Sequence, residues 1–132
     1  MNCRVEEFMT PKREIVTPDD SVISAVELMV ENDKGSVVVV DDEDKVVGVF
    51  TERDLLRRYL MSQSKFLYMG VSEVMSSPPV TISPEDDLSK AFSLMAERDI
   101  RHIPVVNDDQ EMVGFISWKN MFEFCSAKLT GD

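Results

Sequence analysis

"GVFTERDL" at residues 48–55 and "GFISWKNM" at residues 114–121 are two versions of one phrase. Each runs glycine, two apolar residues, a hydroxyl residue, two variable positions, and then Asp54 or Asn120. The apolar half is rich in β-branched and aromatic residues, as a strand is. A hydroxyl residue followed three positions later by an acid or amide is a helix-start pattern. Each phrase therefore predicts a strand that runs into a helix beginning at Glu52 or Trp118.

The phrase belongs to a longer repeat. Sliding the chain by 66 residues aligns Val5–Tyr59 with Val71–Cys125 without a gap, and fifteen of the fifty-five pairs are identical. Composition alone would give roughly three or four. Matched pairs include Met9/Met75, Pro18/Pro84, Asp20/Asp86, Ala25/Ala91, Met29/Met95 and Gly48/Gly114. The chain is a duplication.

Each repeat reads alike. "TPDD" (17–20) and "SPED" (83–86) predict a hydroxyl N-cap, with proline at the first helical position and acids in the first turn. The helix that follows carries Val22, Ala25, Val26 and Met29 on one face, mirrored by Leu88, Ala91, Phe92 and Met95. "SVVVV" (36–40) and "RHIPVV" (101–106) read as buried strands, and an acidic turn, "DDED" or "NDDQ", makes each the first arm of a hairpin. A short strand is expected at 14–16 and again at 80–82. The fold class is therefore α+β: two β-α-β-β-α repeats, residues 1–61 and 71–132, joined by a connector at 62–70. Neither repeat alone buries much surface, so the two are expected to pack about a pseudo-two-fold axis as one intertwined module.

The bulk composition narrows the function. The 132 residues are 43% hydrophobic and 30% charged, and no apolar run approaches the length of a membrane span. "MNCRVEEFM" has no signal-peptide pattern, which makes the cytoplasm the expected location. A net charge of −11 opposes nucleic-acid binding, which needs a basic footprint. Cys3 and Cys125 are single and distant in sequence, and the expectation is free thiols. One histidine, five glycines, no zinc-ligand spacing and no phosphate-binding glycine loop leave little for catalysis. The expectation is a non-enzyme with no metal and no cofactor.

The duplicated pattern resembles a tandem pair of CBS domains, the module named after cystathionine β-synthase. The residues that carry the likeness are "VEEFMTPKREIVTPDDSVISAVELM" with "GVFTERDLL", and "VSEVMSSPPVTISPEDDLSKAFSLM" with "RHIPVV" and "GFISWKN". The resemblance implies a flat module that binds adenosine-containing ligands in clefts between the repeats. It places Gly48, Thr51 and Asp54 on the family's Gly-x-x-Thr/Ser-x-x-Asp element, with the acid on the ribose hydroxyls and Thr51 near phosphate. It further implies an adenine slot from Val80, Ile100 and Arg101, with His102 approaching a phosphate. A weaker second cleft would use Ser117 and Asn120, because an amide has one acceptor oxygen and no charge.

Other readings stand beside these. Thr51-x-x-Asp54 is also a capping-box variant, as are Thr17-x-x-Asp20 and Ser83-x-x-Asp86. Asp54→Ala is expected to abolish ribonucleotide binding and leave melting almost unchanged, whereas normal binding with early melting would mark Asp54 as a cap alone. Arg57 and Arg58 are expected to pair with Asp54 or Glu52 at helical spacing. "DDED" (41–44) reads as a turn, with a divalent-cation site as the lesser reading. The resemblance implies a regulatory module for an adenine nucleotide (AMP, ADP or ATP first, then S-adenosylmethionine, NAD or a cyclic dinucleotide) acting as regulatory ligand. Exposed apolar helix faces suggest a homodimer, and the output would pass to an unknown protein partner in trans. The alternative is a ligand-free scaffold that dimerises and docks on an enzyme or transporter.

Overall fold

A computed structural model describes residues 3–12 and 14–129. It is a mixture of helix and sheet, in two compact units. The described residues of 13–79 form one unit, and those of 1–12 with 80–132 form the other.

In the first unit, β1 (Ile15–Val16) pairs parallel with β2 (Ser36–Val40), which pairs antiparallel with β3 (Val46–Thr51). Between β1 and β2 lies α1 (Val22–Glu31), and α2 (Glu52–Ser62) follows β3 without a break. Every residue of β2 is buried, as its unbroken valines require. The core joins Val37, Val39 and Phe50 from the sheet to Val22, Ala25 and Met29 from α1. Val16, Phe66, Val71 and Val74 complete it. Residues 62–70 are thus more than a tether: a 3-10 helix at Gln63–Tyr68 seats Phe66 in this core. Residues 71–79, the start of the second sequence repeat, also belong to this unit.

The other unit repeats the plan with α3 (Leu88–Arg98), β4 (His102–Val106), β5 (Met112–Ser117) and α4 (Trp118–Leu129). The β4–β5 register matches that of β2–β3 residue for residue, including a bulge at the same place. Its core is Ile82, Leu88, Ala91, Met95, Ile103, Val105 and Ile116, closed by Val5 and Met121.

Two local expectations are corrected. "TPDD" and "SPED" do not begin their helices. Asp20 and Asp86 turn back to accept from the N–H of Thr17 and Ser83, at 2.8 and 2.9 Å, and close separate turns. The helices start later, capped by Ser21 and Asp87, whose extended backbone redirects the chain. The strand expected at 80–82 is reduced to a single parallel bridge, Ile82 with Val105. In the first unit the Val38 N–H donates to the Glu14 carbonyl at 3.0 Å. The equivalent of Val38 is Pro104, which has no N–H to give, so that rung is missing.

Candidate functional site

The junction of β3 and α2 is where the repeated phrase becomes geometry. Thr51 is extended, at φ −120° and ψ 165°, and caps α2. Its hydroxyl accepts from the Asp54 N–H at 3.2 Å. Asp54 Oδ2 in return accepts from the Thr51 N–H at 3.0 Å and from the Thr51 hydroxyl at 3.1 Å. Thr51 and Asp54 therefore form a capping box, and one oxygen of the carboxylate is committed to it. Among the described residues, Oδ1 is met by the hydroxyl of Ser76, which stands 3.4 Å from both carboxylate oxygens.

Ser76 is held there by β3. Its N–H donates to the Val49 carbonyl at 2.9 Å, and the Val49 N–H donates to its carbonyl at 3.1 Å. One residue earlier, Met75 lies over Gly48, where a Cβ would sit only 2.3 Å from its Sδ. The close approach that a glycine in a strand permits is thus made by a methionine. The Ser77 hydroxyl adds a bond to the Val47 carbonyl at 3.1 Å.

The second copy has the same frame with different chemistry. Asn120 Oδ1 accepts from the Ser117 N–H at 3.2 Å and the Ser117 hydroxyl at 2.7 Å, and the Asn120 N–H donates back to that hydroxyl at 3.2 Å. Met9 fills the space over Gly114. Thr10, the counterpart of Ser76, gives its hydroxyl to the Phe115 carbonyl at 3.2 Å instead. The cap consumes the only oxygen of the amide. What Asn120 has left is an N–H₂ donor, where Asp54 has left an acceptor.

The flanks differ too. Beside Thr51 are Gly35, whose carbonyl accepts from the Glu52 N–H at 2.9 Å, and the buried Ser36. Beside Ser117 are Arg101, whose carbonyl accepts from the Trp118 N–H at 2.8 Å, and His102, stacked on Phe115 with ring centroids 5.7 Å apart. Arg101 is exposed and His102 half-buried. Ile100 packs against the core of its unit, and Val80 is half-buried. The unit of 13–79 thus brings together Gly48, Thr51 and Asp54, while Val80, Ile100, Arg101 and His102 fall in the unit that holds Ser117 and Asn120.

Sequence reasoning missed Ser76. The signal was the Met9/Met75 identity in step with Gly48/Gly114: a large side chain repeated along with a missing one. One side-chain expectation is corrected. Neither Arg57 nor Arg58 pairs with Asp54 or Glu52, because the Asp54 carboxylate turns back onto its cap. In the acidic turn, Asp41 Oδ1 accepts from the N–H groups of Glu43 and Lys45, at 2.9 and 3.0 Å. Asn107 Oδ1 does the same for Asp109 and Glu111, so the position requires an acceptor oxygen and no charge. Among the described residues, no group of three or more His, Cys, Asp or Glu could hold a metal ion. No helix among them is long and apolar enough to cross a membrane.

The CBS domain matches the chain twice, over residues 5–61 and 71–127. The chain belongs to the CBS-domain family. A mitochondrial CBS domain-containing protein of Arabidopsis thaliana is 34% identical over 76% of this chain and 50% of its own length. Inosine-5′-monophosphate dehydrogenase from Halobacterium salinarum is 33% identical over 91% of this chain but only 24% of the enzyme. The chain therefore spans half or less of these two relatives. Among solved structures, the crystal structure of Arabidopsis CBSX2 in complex with AMP superposes with a TM-score of 0.82 at 29% identity, covering 96% of this chain and 98% of that one. The CBS pair is thus a regulatory module, found in separate proteins and within larger enzymes.

Proposed function

We propose that this CBS pair is a sensor that binds an adenosine nucleotide, AMP, ADP or ATP, with Asp54 holding the ribose. The observation that carries this is the division of labour within one carboxylate: Oδ2 serves the cap and Oδ1 is left as an acceptor beside a hydroxyl. A ribose diol offers two O–H donors, and a charge-assisted bond to a carboxylate contributes about 1.5–3 kcal/mol. The CBSX2–AMP complex supports the ligand class. Thr51 stands at the N-terminus of α2, where backbone N–H groups favour an anion. The contacts implied for Val80, Ile100, Arg101 and His102 are part of the same proposal. Binding signals by shifting the population of conformations toward the one the ligand prefers, which a protein partner reads in trans.

Isothermal titration with AMP, ADP, ATP and S-adenosylmethionine tests the reading, with mass spectrometry of ligand released from freshly purified protein. Saturable binding of an adenosine nucleotide that Asp54→Asn removes sustains it. No binding by the wild-type protein, or equal binding by the variant, overturns it.

A second reading, a ligand-free scaffold, is favoured by α2. This helix buries none of its eleven residues, and Leu56, Tyr59, Leu60 and Met61 are 66, 52, 86 and 78% exposed. Such a stripe suits association. We propose a homodimer through it under either reading.

A further inference from the structure

We infer that the Ser76 hydroxyl is the second group that reads the ribose, so that selection of a vicinal diol is shared between Asp54 and Ser76. This rests on the nucleotide reading above. The two acceptor directions of Asp54 Oδ2 are taken by the Thr51 N–H and hydroxyl, which leaves Oδ1. A diol brings two hydroxyls, and Oδ1 keeps one acceptor direction once the Ser76 hydroxyl uses the other. Ser76 Oγ stands 3.4 Å from each carboxylate oxygen, longer than the roughly 2.7–2.8 Å of a settled O–H···O bond. Its proton points to the carboxylate, and its lone pairs stay open on an exposed side chain. One ribose hydroxyl donates to Asp54 Oδ1. The other donates to Ser76 Oγ, whose own O–H keeps donating to Asp54, a chain in which each bond strengthens the next.

Position is not left to the side chain. Two backbone bonds to Val49 and the seating of Met75 over Gly48 fix Ser76 whatever its side chain does. The second copy lacks both halves of this reader: Thr10 spends its hydroxyl on Phe115, and Asn120 presents a donor. The two repeats thus differ at the two residues that here act together.

The test is titration of wild-type protein, Ser76→Ala and Ser76→Thr with AMP, 2′-deoxy-AMP and 3′-deoxy-AMP. The expected result is that wild type prefers AMP to both analogues. Ser76→Ala loses about 3- to 10-fold in AMP affinity, the worth of one neutral hydrogen bond. It binds one of the two analogues as wild type does, so that one preference collapses while the other persists. Ser76→Thr restores the wild-type pattern, and the melting temperature is unchanged throughout. Wild-type ratios retained in Ser76→Ala overturn the inference, as does a uniform loss for all three ligands. If wild type binds none of the three, the nucleotide reading itself fails and the role of Ser76 falls with it.

Discussion

Asp54 and Asn120 occupy the same place in the same cap, and each hands one oxygen to the N–H and hydroxyl of the residue three back. The substitution that isolates ligand chemistry is therefore Asp54→Asn, which keeps the cap and exchanges the outward acceptor for a donor. It is expected to melt within a degree or two of wild type and to lose tenfold or more in AMP affinity. Asp54→Ala removes the cap as well, at about 0.5–2 kcal/mol, so the expectation of unchanged melting is revised by the geometry. Melting curves for both variants check this. Asn120→Asp is the converse and should add a second, weaker binding event to the titration. Arg101 carries a positive charge that suits a phosphate, so Arg101→Ala should weaken ATP more than adenosine, and equal losses would leave it to the adenine slot alone. The hydroxyl-to-acid spacing was readable in the chain, since a cap is local. The contact of Asp54 with Ser76 was not, because the two lie 22 residues apart.

Within elements, the repeated glycines answer to repeated methionines. An alanine at 48 would place its Cβ 2.3 Å from Met75 Sδ, and one at 114 would meet Met9 Sδ at 2.5 Å and the Thr10 carbonyl at 3.0 Å. Gly48→Ala is expected to cost about 1–3 kcal/mol, and Gly114→Ala more, because its second obstacle is backbone pinned to Phe115. Denaturant unfolding of the two variants tests the order. The N-cap of α3 titrates: hydrogen bonds from the Ser89 hydroxyl, then from its N–H, hold Asp87 below its ordinary 3.8. A pKa lowered by folding adds stability above 3.8 that is lost as pH falls below it. Replacing Asp87 by Asn should flatten that part of the melting profile between about pH 5 and pH 2. The faces of α1 and α3 were legible from helical period, since Val22, Ala25 and Met29, and Leu88, Ala91 and Met95, are the buried residues. The helix starts were misplaced because Asp20 and Asp86 satisfy turns where a cap pattern was read.

For the whole molecule, association is the property the surface bears on. Leu60→Lys should shift a dimer toward the 15.0 kDa chain by light scattering without lowering its melting temperature, because Leu60 is 86% exposed. With a net charge of −11 per chain, raising salt from low to physiological should tighten the proposed dimer by screening like charges. The duplication, the order of the helices and hairpins, and the buried helix faces were determined by the chain as written, because periodicity and β-branching act over a few residues. Tertiary structure alone decided that residues 71–79 join the unit of 13–79, that Met75 is why position 48 lacks a side chain, and that a serine stands beside Asp54. Those outcomes depend on which distant segments find each other's surfaces, and no local pattern encodes that pairing.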